Sequence, residues 1–131
     1  MHKFKTRKED NWQNYLIKAE QFMETALDAF IKENWNSVGL NTVHAVISAN
    51  DSMTVYLGGI RSASEKHNDA VELLLELSID KKEAVEFLKH YSWLIGRKNL
   101  VEYESRLFYK KEAEDSIKHA ERFLEWAKRK L

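Results

Sequence analysis

A chain of 131 residues (15.5 kDa) is long enough for one domain with a substantial core. It has no cysteine, which excludes disulfides, thiolate nucleophiles and cysteine-ligated zinc or iron–sulfur centres; the lack of proline and the low glycine content (4) argue against a turn-rich β architecture. Basic and acidic residues balance at 21 each, so no strong global pull toward nucleic acid or membrane is expected.

The N-terminal run Met1-His2-Lys3-Phe4-Lys5 is polar and does not read as a signal peptide, and no apolar run approaches the roughly 18 residues of a membrane span. A cytoplasmic, single-domain protein over residues 1–131 is expected, with residues 1–8 as a flexible N-terminus and no membrane partner. A first helix follows from the 4, 3, 4, 3, 4 spacing of Trp12, Leu16, Ala19, Met23, Ala26 and Phe30. Thr6 with Glu9 reads as its capping box, Asp10 being the other start, and the run ends near Asn34–Asn36. The second helix, about Ser37 to Leu57, carries Gly39, Ala45 and Ala49, small residues that make it the most enclosed; Gly58-Gly59 stops it. After a connector over Ile60–Lys66, Ser62 or Ser64 caps a third helix with Val71, Leu74, Leu75 and Leu77 inward. Asp80 with Glu83 opens a fourth, and Ala84, Phe87, Leu88, Tyr91, Leu94 and Ile95 keep helical spacing up to Gly96. Arg97–Phe108 is the least regular stretch. A last helix spans about Lys110 to Lys130, its Lys128-Arg129-Lys130 end complementing the helix dipole. The fold class expected is all-α, an up-and-down bundle of four to five helices.

The chemistry-bearing residues fall into a few groups. Glu86 and Asp115 stand four residues before His90 and His119, not the three of inward Glu-x-x-His pairs, so no metal site is expected and both histidines read as solvent-facing. No glycine-rich phosphate loop is present, and no cofactor is implied. His44, Ser48 and Asp51 share one face of the second helix; about 10 Å of rise separates the first from the last, too far for a triad, so they read as a polar seam inside the bundle or across a dimer interface. The basic run Lys3, Lys5, Arg7 and Lys8 reads as a solvated end. Two arginine clusters remain. In one, Arg61 precedes His67 by six positions; in the other, Arg97, Lys98, Asn99, Glu102 and Tyr103 crowd a helix junction, where they can bind or polarise a phosphate or form a structural ion-pair knot.

Three stretches resemble the HEPN family: Thr42-Val43-His44-Ala45-Val46-Ile47-Ser48-Ala49-Asn50-Asp51, then Gly59-Ile60-Arg61-Ser62 through His67 into Ala70-Val71-Glu72-Leu73-Leu74, then Lys98-Asn99-Leu100-Val101-Glu102-Tyr103 followed by Lys111-Glu112-Ala113-Glu114 and Ala120-Glu121-Arg122-Phe123-Leu124. The similarity runs from about Tyr15 to Leu131. It implies a homodimeric helical bundle with a nucleotide- or RNA-binding role, often encoded beside a minimal nucleotidyltransferase as a toxin–antitoxin pair. Active members are metal-independent RNases with an arginine, four to six residues, then a histidine. From Arg97 that position falls on Glu102, and from Lys98 on Tyr103; the literal match Arg61…His67 lies in the connector and reads as coincidence. The resemblance thus implies a non-catalytic module that binds RNA, a nucleotide or a nucleotidyltransferase partner on a separate chain. Arg97, Lys98 and Asn99 are its ligand-binding candidates; Arg97, Glu102 and Tyr103, then Arg61 and His67, are the candidates for any residual catalysis. The alternatives are an active RNase toxin and a structural interaction protein.

Overall fold

The apolar stripe from Trp12 to Phe30 forms helix α1 (Trp12–Ile31) in the computed structural model, which describes residues 3–131; Met1 and His2 of the polar N-terminal run lie outside the described residues. Lys32–Asn34 turn the chain, with Glu33 at a positive φ of 60°, and α2 (Trp35–Gly58) returns beside α1. α2 is the central helix, packing on α1 and on every later helix. Its small residues explain that position: Gly39, Ala45, Ala49 and Ser52 are buried and let other backbones approach. Gly59, in the left-handed conformation at φ 67°, ends it at no steric cost. α3 (His67–Leu77), α4 (Lys81–Ile95), the short α5 (Lys98–Tyr103) and α6 (Lys110–Lys130) complete an all-α bundle.

Met53, Leu74, Leu88, Tyr91, Leu94, Phe123 and Trp126 form the core where α2, α3, α4 and α6 meet. Burying a side chain of this size is worth about 1.5–3 kcal/mol each, which holds a bundle of mostly charged outer faces together. Trp126 and Tyr91 are almost fully enclosed. Trp126 stacks on Phe87 (5.1 Å, 2°) and its indole donates to Glu83 at 2.6 Å. Other tryptophans also find ring partners within the chain, Trp35 against Phe30 and Trp93 against His119.

Three local expectations are corrected. Thr6 does not cap α1; Thr6–Lys8 form strand β1, paired antiparallel to β2 (Ile60–Ser62) with Thr6 opposite Ser62, so these residues of the expected free end are tied down. Glu9, freed from capping, accepts from Tyr15 Oη at 3.1 Å. Neither serine caps α3, because Lys66 takes the cap position, while Ser64 donates to Asp69 at 2.6 Å and accepts from the Lys66 amide. Asp80 does cap α4, its Oδ1 accepting from the Glu83 amide at 3.0 Å.

Candidate functional site

Gly96 ends α4, and α5 then lies across α2 because Gly39 leaves room: Phe108 and Val101 occupy the space a side chain would fill there. Asn36 accepts from the Phe108 amide at 2.8 Å and fixes the end of this segment. α5 is thereby held beside the first turn of α3, and the two border a groove of about 460 Å³. Glu65, the cap residue Lys66, and His67 and Asn68 of α3 line it on one side, and Lys98, Asn99 and Tyr103 of α5 on the other.

Lys98 donates to Glu102 at 2.8 Å, and His44 Nε2 lies 3.4 Å from the other carboxylate oxygen. The Lys98 bond outweighs burial and holds the Glu102 carboxyl below its ordinary range, with Tyr103 acting in the same direction. Glu102 is thus a firmly ionised anchor rather than a proton acceptor poised near neutrality. Burial, then Lys98, keeps His67 below the usual histidine range, so its neutral ring offers one donor and one acceptor. The arrangement sets two ammonium groups, an imidazole, two amides and a phenol around one concave surface, groups suited to a phosphate and its attached polar edges.

Arg97, the leading candidate from the sequence, points elsewhere. Its guanidinium lies 3.5 Å from the Trp93 ring centroid and donates to the Trp93 carbonyl at 2.9 Å. Lys98 and Asn99 line the groove, and Arg97 is not among its lining residues. Arg61 and His67 also separate. Arg61, on β2, lies 3.5 Å from Glu9 and 5.8 Å from the Tyr15 ring, whereas His67 faces Lys98 and Glu102.

The His44, Ser48, Asp51 face is split as well: His44 meets Glu102 and Phe22, while Asp51 sits deep beside Arg61. Burial pushes the Asp51 carboxyl up to about 7, against the pull of Arg61 and Lys18. It also holds the Tyr91 hydroxyl, which has no hydrogen-bond partner among the described residues, far above the tyrosine range.

His90 and His119, read as solvent-facing, face each other with Nδ1 atoms 2.8 Å apart. His90 lies three residues after Phe87 and His119 four before Phe123, at the edge of each apolar stripe, and that spacing was the available signal. Among the described residues no three histidine, aspartate or glutamate side chains converge as metal ligands, and no helix is long and apolar enough to cross a membrane. Lys66, Asn68 and His44 were missed as neighbours of the α5 cluster, because nothing in the chain order signals that α3 begins beside it.

Comparison with curated proteins gives no match. The model of the HEPN domain family matches residues 12–131, covering α1 through α6. The chain therefore belongs to the HEPN domain family.

Proposed function

We propose that this chain is a non-catalytic HEPN module that binds a phosphate-bearing ligand, single-stranded RNA or a nucleotide, in the groove between α3 and α5. The observation that carries the reading is the convergence of Lys66, His67 and Asn68 with Lys98, Asn99 and Tyr103 on one surface. The exposed Tyr103 ring offers a face for a base, and the two lysines offer charge to a phosphate. Against catalysis stand an ionised Glu102 and an Arg97 engaged by Trp93. With zero net charge, binding rests on this local cluster rather than on an extended basic surface. The module acts as a homodimer, and a nucleotidyltransferase on a separate chain is the kind of partner it serves.

Fluorescence anisotropy with a labelled single-stranded RNA decamer in metal-free buffer tests the site. Lys66→Ala and Tyr103→Ala should each weaken binding about 3- to 10-fold, and Lys66→Ala should lower the log–log salt slope by about 1. Affinity unchanged in both variants would remove the groove from consideration. Light scattering should give a mass near twice 15.5 kDa; a monomer at tens of micromolar would end the homodimer reading.

A further inference from the structure

On the α4–α6 face, His90 and His119 are joined Nδ1 to Nδ1 at 2.8 Å, a distance that requires a hydrogen between the two nitrogens. The His119 ring stacks on Trp93 (4.3 Å between centroids, 24° between planes). Trp93 in turn carries the Arg97 guanidinium at 3.5 Å and accepts its hydrogen bond through the carbonyl at 2.9 Å. A continuous stack therefore runs from the histidine pair to the arginine. We propose that His90 and His119 form a proton-sharing clasp between α4 and α6 that keeps Arg97 folded down on Trp93, and that loading the clasp with a second proton opens it and releases the arginine.

The chemistry follows from counting hydrogens. In the neutral pair one ring donates from Nδ1 and the other accepts, so the donor ring carries its free lone pair on Nε2. A first added proton goes to that Nε2. It leaves the Nδ1–H···Nδ1 bond in place and makes it charge-assisted, hence stronger. A second added proton goes to the accepting Nδ1, and two N–H groups then point at each other at 2.8 Å with like charges behind them. The bond is lost and the rings repel.

The charges that act on the pair set when this happens. Glu86 of α4 and Asp115 of α6 favour protonation; Arg122 of α6 acts against it on both rings and Arg97 on His119. Burial opposes it on both, and the balance holds both histidines below their usual range. The clasp is closed at neutral pH. Both His119 and Arg97 lie against the Trp93 ring, so a charge gained by His119 sets a second cation on one π system. Among the described residues Arg97 has no carboxylate within 4 Å to hold it once the stack loosens. It is also the residue before Lys98, so a released Arg97 is next to the α3–α5 groove.

The clasp stands on the α4–α6 geometry alone; only its effect on ligand binding rests on the groove reading. The test is a long-range ¹H–¹⁵N correlation experiment on the ¹⁵N-labelled full chain between pH 4.5 and 8, following the imidazole nitrogens and the Arg97 Nε–H. At pH 7 the two rings should show complementary tautomers and a scalar coupling across the shared hydrogen. They should titrate as a pair in two steps separated by at least about tenfold in proton affinity, with the Arg97 signal moving at the lower step. His119→Gln should make the Arg97 signal independent of pH. Independent titration of the rings near the ordinary histidine range, without cross-bond coupling, would overturn the clasp. Coupled titration with an unmoved Arg97 signal would overturn the release. RNA anisotropy over the same range should gain about 3-fold or more in wild type beyond any gain in Arg97→Ala below the lower step, a rise common to both coming from His67 in the groove itself. If Arg97 moves and that gain is missing, the groove reading fails and the clasp remains.

Discussion

Phe108 occupies the place of the side chain that Gly39 lacks: a Cβ built on Gly39 would meet the Phe108 ring at 2.7 Å and Val101 at 2.9 Å. Phe108 is buried and its amide is tied to Asn36, so the ring has nowhere to move. Gly39→Ala should therefore destabilise the fold by about 1–3 kcal/mol through overpacking. Because the same contact seats α5, RNA affinity should fall with it. A urea midpoint equal to wild type would show that the 97–108 segment is not anchored there.

The Asp51 carboxyl keeps its proton in the folded protein up to about pH 7 but loses it near 3.8 when unfolded. The folded state binds more protons across that window, so this residue's contribution falls as pH rises from about 4 through 7. Asp51→Asn should flatten that decline and stabilise the protein at pH 8 by on the order of 2 kcal/mol, with little effect near pH 4. Denaturant midpoints of both proteins at several pH values check this; parallel pH profiles would contradict it.

Asp80→Ala should cost about 1 kcal/mol by leaving the Glu83 amide at the start of α4 without its acceptor. Asp80→Asn should retain most of the stability, since the amide oxygen can take the same bond. Thermal melts of the two variants separate cap loss from charge loss.

Where the sequence carried its own punctuation, the elements were legible. Asp80 and Gly59 mark helix ends through chemistry confined to a few residues, and the last helix, read as about Lys110 to Lys130 with a basic end, has those bounds in the structure. The ribbon of β1 and β2 was not legible, because three-residue strands owe their pairing to a distant segment rather than to their own composition. The site was half legible for the same reason. Lys98, Asn99, Glu102 and Tyr103 cluster by adjacency on one short helix, but their alignment with His67 and the departure of Arg97 to Trp93 are tertiary facts. The i, i+4 spacing of Asp115 and His119 suggested only a surface pair; that His119 meets His90 depends on the crossing of α4 over α6.

Metal-free incubation with single-stranded RNA should leave the substrate intact. Glu102 is held ionised by Lys98 and is a poor general base near neutrality, and loss of proton transfer costs about 10²–10⁴ in rate. Gel analysis of wild type beside Arg97→Ala, Glu102→Ala and His67→Ala decides the matter. Robust wild-type cleavage that any one of these substitutions abolishes would make the module an RNase.

The β1–β2 ribbon joins the start of the chain to the link between α2 and α3, with the Glu9 amide bonded to the Gly59 carbonyl and the Ala63 amide to that of Lys5. It closes a loop that contains the whole of α1 and α2. Its ends meet cheaply only after those helices have folded back on one another, since loop closure must otherwise be met by a few hydrogen bonds at an edge. The ribbon is thus placed to form late on the folding pathway and to open first in the native ensemble, exchanging its amide hydrogens ahead of the helical core. Each such opening frees Arg61 from Glu9 and weakens the positive charge acting on the Asp51 carboxyl, while the core shared by the helices stays packed.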